Sequence, residues 1–191
     1  MLELEQQINA ALQSRLPSGI GRKKHCLAID LHLIPYYGKP TAIEKPYIYR
    51  SQAKAGTTSF FAYATVYVIR RHKRVTLAIH AVPQQETLVA TLTYLLSALS
   101  PRRIGIKQLL LDRGFFSVPV IRWLKALDIP FLMPAIVRGK QGGTRQLLQG
   151  RKSYATQYTL KSQVYGSVVC DMRIVCRYLK GRSGKHGIDY F

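Results

Sequence analysis

Acidic residues are scarce in this chain. Nine Asp and Glu stand against 29 Lys and Arg in 191 residues, a formal charge of +20 at neutral pH. The shortage points to a polyanionic partner, because each phosphate neutralised by Lys or Arg releases condensed counterions. A merely soluble basic protein is the competing reading. Cysteine is scarce as well: Cys26, Cys170 and Cys176 are an odd number with no CxxC pair. That excludes a disulfide framework and fits free thiols in a reducing compartment. The histidines (His25, His32, His72, His80, His186) are scattered, so no closely spaced zinc ligands form. No apolar run reaches the roughly 18 residues of a membrane span. The start Met1-Leu2-Glu3-Leu4-Glu5 is no signal peptide, so a cytoplasmic location without a membrane partner is expected.

What is present suffices for a core: 47% of the residues are hydrophobic, enough for one domain, or one domain with an appendage. Residues 1–14 read as a helix, with Leu4, Ile8 and Leu12 at four-residue spacing. Leu27 to Ile34 is a continuous apolar run with Asp30 inside it, stopped by Pro35 and Gly38, the pattern of a short buried strand. Residues 35–57, rich in Pro, Gly, Tyr and Lys, read as a long surface excursion. A hairpin follows, Phe60 to Ile69 and Val75 to Val82, with Phe61, Tyr63, Thr65, Tyr67 and Ile69 in alternation and a basic tip, Arg70 to Arg74. After Pro83 the spacing predicts a helix of about 15 residues, with Glu86 in its first turn and a stop at Ser100-Pro101. A strand over 106–111 ends at Asp112-Arg113-Gly114, a helix capped by Ser117 buries Ile121, Leu124 and Leu127, and a fifth strand runs from Phe131 to Val137. Residues 138–153 are glycine-rich and basic, and strands follow, one of them from Val168 to Tyr178 with only one face apolar. Strands separated by helices imply parallel neighbours, so the expected fold is an α/β sheet flanked by helices and carrying a β-rich insertion.

With so few acids, each can be weighed. Glu3, Glu5, Glu44 and Glu86 have ordinary structural readings, Asp128 precedes a proline turn, and Asp171 shares a strand face with Arg173 and Arg177. Asp30 and Asp112 differ, because each belongs to a buried-type strand. A carboxylate taken out of water needs an arginine, backbone amides or a metal ion as partner. Ligands collect at the carboxyl ends of parallel strands, and two carboxylates meeting there repel unless a divalent cation lies between them. Hard oxygen donors favour magnesium or manganese over zinc, and two such metals about 3.5–4 Å apart can drive in-line displacement at a phosphodiester. The alternative pairs Asp30 with an arginine and makes Asp112 a cap for the turn after it.

Two runs carry a resemblance. Leu27-Ala28-Ile29-Asp30 followed by Ile34-Pro35-Tyr36-Tyr37-Gly38, together with Leu109 to Asp112 and Arg113-Gly114-Phe115-Phe116-Ser117, resembles the DDE transposases of bacterial and archaeal insertion sequences. The resemblance implies an RNase H-like mixed sheet with an antiparallel β insertion after the fifth strand. It implies that Asp30 and Asp112 are catalytic and bind Mg2+ or Mn2+ in a two-metal site. It divides the chain into a helix and basic lead-in (1–24), a catalytic core (25–137) and a basic β-rich insertion (138–191). Double-stranded DNA, as transposon ends and target, becomes the expected partner, with a homo-oligomeric synaptic complex and a nucleoid-associated location.

The third carboxylate of that family is a glutamate on a helix after the insertion, and no glutamate follows Glu86 here. The expectation is therefore a truncated transposase with an incomplete and weakly occupied metal site. A catalytically inactive DNA-binding remnant, or an inhibitor of a full-length transposase, stands as the other reading. Expected backbone contacts are Arg70, Arg71, Lys73 and Arg74 at the hairpin tip, Arg113 beside the site, and Arg138, Lys140, Arg151 and Lys152 in the basic loop.

Overall fold

The Asp30 run forms strand β1 (Lys24–Pro35), the central strand of a mixed sheet in the computed structural model, which describes residues 2–70, 73–179 and 188–190. The chain falls into two units, residues 1–112 with 127–132 and residues 113–126 with 133–191. In the first, β1 lies between β3 (Thr57–Arg70), antiparallel, and β5 (Gly105–Leu111), parallel. β6 (Phe131–Leu132) extends the sheet beyond β5 in parallel. On the far edge of β3, β2 (Ile48–Lys54) pairs with its first half and β4 (Lys73–Ala81) with its second, both antiparallel. This is the expected α/β mixed sheet, with β2 added.

Three expectations for this unit need correction. Residues 35–57 are not wholly a surface excursion, because β2 lies within them and buries Ile48. Its link to β3 is the two-residue turn Ala55-Gly56, both with positive φ (52° and 77°). Such a turn suits the twist of a hairpin and normally takes Asn-Gly or Asp-Gly. Ala55 is strained there, so Ala55→Asn is expected to raise stability by about 0.5–1 kcal/mol, read as a higher denaturant midpoint. The fifth strand is only two residues long, because Pro134 has no N–H to give to a ladder. The helix after Pro83 is α2 (Leu88–Ser97); Thr87 caps it, its side chain accepting from the Ala90 N–H, and Glu86 precedes the cap.

α2 covers one face of the sheet. That face carries Phe60, Ala62, Ala64, Val66 and Val68 of β3, all nearly inaccessible. Small residues here let Leu92 and Leu95 of α2 approach closely, and full burial of each leucine contributes about 1.5–3 kcal/mol. The aromatic row of β3 is the other, half-exposed face. The first helix, α1 (Leu2–Ser14), forms as expected, but its Leu4 and Ile8 are exposed and Glu5 is the buried residue.

The loop after β1 is tied by Glu44, whose carboxylate accepts from the Thr41 N–H at 2.9 Å and the Thr41 hydroxyl at 2.8 Å. These bonds hold its pKa below the usual glutamate value. A lowered folded-state pKa means the loop gains this support above the unfolded pKa and loses it as pH falls through the folded one. The Glu44 carboxyl is expected to titrate below a glutamate in an unstructured peptide, followed by carboxyl-carbon NMR, and to move only part of the way back in Thr41→Ala, which keeps the Thr41 N–H donor.

In the second unit, α3 (Val118–Ala126) buries Val118, Val120, Ile121 and Leu124; Leu127 lies past its end and is exposed. The expected strand over 168–178 is two strands, β8 (Gly166–Ile174) and β9 (Cys176–Tyr178), broken at exposed Val175. β8 pairs antiparallel with β7 (Tyr154–Ser162), and β9 with β10 (Ile188–Tyr190). Cys170, Ile174 and Leu160 are the buried side of the β7–β8 ribbon, and burial pushes the Cys170 thiol up.

Candidate active site

The β1–β5 ladder pairs Ile29 with Leu111 as its last partners. One residue further along each strand stands an aspartate, Asp30 and Asp112. Residues in register on adjacent parallel strands project from the same face, with strands about 4.8 Å apart. Asp30 lies within β1 and Asp112 just past the end of β5, each one residue beyond the last pair of the two central parallel strands.

Asp30 is not buried, contrary to its apolar surroundings in the sequence. Its side chain is 39% exposed, and Asp112 is exposed as well. The reason is geometric: β1 outruns β5, so from Asp30 onward one flank of β1 has no neighbouring strand. Leu33 and Ile34, apolar though they are, stand 41% and 50% exposed. Asp30 thus keeps access to water. Its recorded partner is His32, two residues along on the same strand face, with Nε2 3.4 Å from Asp30 Oδ2. Sequence reasoning passed over His32, although i and i+2 on a strand always share a face. Across the β1–β3 ladder Asp30 stands opposite Thr65, and His32 opposite Tyr63.

Asp30 and Asp112 are both accessible to water, and carboxylate oxygens are donors that suit a hard divalent cation. Among the described residues no group of three or more His, Cys, Asp or Glu is arranged to hold a metal ion.

The basic residues fall in several places. Arg70 and Lys73 face each other at the end of the β3–β4 ladder, and Arg74 lies over the Tyr67 ring, 5.3 Å from its centroid. Arg71 lies outside the described residues. Arg113 follows Asp112 directly and is exposed. In the second unit Arg138, Lys140, Arg151 and Lys152 are all exposed. The loop that carries the first two is built rather than loose. Buried Thr144 accepts from the Arg138 N–H at 2.8 Å and donates to the Ile136 carbonyl at 2.7 Å. Arg145 Nε donates to the Gly139 carbonyl at 2.6 Å. Gly139 has φ of 90°, and a Cβ there would stand 2.3 Å from the Gly142 carbonyl oxygen, so no other residue fits. Asp171 accepts from the Gln157 side chain at 3.1 Å.

The sheet topology defines a class: a mixed α/β core, with one aspartate following the last paired residue of each of its two central parallel strands. Residues 21–172 match the family described as Transposase DDE domain, and the chain belongs to that family. Members of the family generally use a divalent metal. Among solved structures, a piggyBac transposase in a synaptic complex with hairpin DNA is similar, at 14% identity and a TM-score of 0.46. That match covers 76% of this chain and 32% of the other, so the chain spans about a third of that transposase. No functionally curated protein matches the sequence. Among the described residues no helix is long and apolar enough to cross a membrane.

Proposed function

We propose that this chain is the catalytic core of a DNA transposase, acting in the cytoplasm on the ends of a mobile element and on target DNA. The observation that carries the reading is that Ile29 and Leu111 close the ladder of two adjacent parallel strands and each is followed by an aspartate, within a chain of the transposase family. Asp30 and Asp112 hold divalent metal, Mg2+ or Mn2+, and His32 steadies the Asp30 carboxylate from its flank. The bound metal supplies a water of lowered pKa and charge stabilisation at the scissile phosphate. The chain's own residues do the rest. The core (25–137) presents the two carboxylates to solvent, and Arg113 stands next to them in sequence. Exposed Arg70, Lys73 and Arg74, with Arg71 between them in sequence and with Arg138, Lys140, Arg151 and Lys152 of the basic 138–191 segment, hold the phosphate backbone. A third carboxylate and a second subunit complete a synaptic assembly.

A second reading is DNA binding without turnover. What favours it is that, among the described residues, no group of three or more His, Cys, Asp or Glu is arranged to hold a metal ion. One experiment separates the two: nicking of element-end DNA by the purified protein with Mg2+ or Mn2+, beside Asp30→Ala. Asp30-dependent nicks support the enzyme. Their absence, with salt-sensitive binding that survives Asp30→Ala and Asp112→Ala, supports the binder. Each lysine or arginine that meets a phosphate contributes about 0.9 to the slope of log K against log salt. Removing Arg151 and Lys152 together is expected to lower that slope by nearly two if both make contact.

A further inference from the structure

One face of the β7–β8 ribbon is turned to solvent along its whole length. The pairing runs without a bulge from Tyr154 opposite Ile174 to Ser162 opposite Gly166. The ribbon is therefore a regular two-stranded element about 30 Å long. Its inner face buries Leu160, Cys170 and Ile174, and α3 packs against both strands. Its β8 edge is bonded as well. Arg122 donates to the Tyr165 and Ser167 carbonyls at 2.7 and 3.2 Å, and Lys125 donates to the Val169 carbonyl at 2.9 Å. A ribbon fixed on one face and along one edge holds its outward side chains in place.

The outward face has an order. Arg173 stands opposite Ala155 at one end and Lys161 opposite Ser167 at the other, all exposed. Between these cations lie two more exposed pairs, Gln157 with Asp171 and Thr159 with Val169. Asp171 and Asp189 are the only acids in the sequence of this unit, which carries 14 Lys and Arg. The unit suits a polyanion, yet a carboxylate within a face meant for phosphate would repel it. The conflict goes if this face meets base edges and leaves the backbone to the surrounding cations. The major groove of DNA is about 12 Å wide and admits a two-stranded ribbon. There aspartate accepts from the cytosine amino group, glutamine pairs with adenine, and arginine pairs with guanine. Gln157 donates to Asp171 across the strands at 3.1 Å. That bond uses one amide hydrogen and one carboxylate oxygen, so it orients both groups while each keeps capacity for a base.

We infer that the β7–β8 ribbon enters the major groove of duplex DNA and reads base pairs with Gln157, Asp171 and Arg173. The inference rests on the DNA reading of the chain and adds sequence recognition to it. The probe is a pool of DNA duplexes randomised over a full helical turn, bound to the purified protein and sequenced after selection. The protein is expected to enrich a motif that includes a cytosine. Gln157→Ala with Asp171→Ala should flatten the preference at one or two adjacent positions, about tenfold at each, without weakening binding to the unselected pool. Asp171→Asn should move the preferred base from cytosine to adenine, because an amide both donates and accepts, as the adenine edge requires. A changed preference is a result that an unfolded ribbon could not give. A selected pool that matches the input overturns the inference. So does a motif that the double variant shares with the parent, or a cytosine that survives Asp171→Asn. With salt-sensitive binding retained, any of these results leaves the DNA reading standing; absence of binding at low salt removes both.

Discussion

Asp30→Asn is expected to lower metal-dependent nicking by about 10²–10³-fold while DNA binding stays within twofold. The substitution keeps the shape of the side chain and removes its charge. Metal-based charge stabilisation at a phosphodiester supplies several kcal/mol, and each 1.36 kcal/mol is tenfold in rate. Binding should persist because it rests on lysines and arginines, and losing a negative charge from a surface that receives phosphate weakens nothing. Asp112→Asn should match it. The double variant should be no worse than either single one, because two ligands of one site act as a unit. Asp128→Asn, at a position outside the carboxylate pair, should nick normally. Activity that survives Asp30→Asn would remove the carboxylate pair from the mechanism. The readout is a single-turnover nicking time course at fixed salt, with fluorescence anisotropy on the same DNA.

The candidate site was legible in the sequence to the extent that local pattern carries it. Leu27 to Asp30 and Leu109 to Asp112 are apolar runs that each reach an aspartate, and the two runs form strands that pair in parallel. Burial was not legible. Whether Asp30 sits in the core depends on where β5 stops, and nothing in residues 24–35 encodes that. The same blindness assigned a buried stripe to Leu4 and Ile8: four-residue apolar spacing marks a helix face, but the neighbour here was a strand edge that wanted polar partners. Strand β2 was hidden by its composition and by an Ala-Gly turn where Asn-Gly would have announced a hairpin. The Glu5, His80 and Glu86 cluster joins residues 75 positions apart, and no periodicity could pair them.

That cluster carries the largest expected effect on stability. Glu5 and His80 are 4% and 6% exposed, among the few polar side chains in the core. His80 Nδ1 lies 3.2 Å from Glu5 Oε1, and Nε2 lies 3.0 and 3.1 Å from the two oxygens of Glu86. The ring is stacked on Tyr94, 3.9 Å between centroids, and the Tyr94 hydroxyl donates to Glu5. Burial first, then the hydrogen bond and charge of Glu5 and the charge of Glu86, push the Tyr94 phenol up to about 12, so it remains a donor. Thr91 donates to Glu86 at 2.7 Å. Removing the imidazole leaves two carboxylates facing a hole, and stripping one partner from a buried ionic group costs about 3–5 kcal/mol. Against a total stability of about 5–15 kcal/mol, His80→Ala should take away a fifth or more. The measurement is the urea midpoint, with the slope unchanged if only stability has moved. Adding Glu5→Gln and Glu86→Gln to His80→Ala should recover part of the loss, because the uncompensated charges go with them. A His80→Ala midpoint within about 1 kcal/mol of the parent would mean the ring merely fills space. The same variant should speed exchange of the Ala81 amide, since Glu5 links this core cluster to the edge of β4.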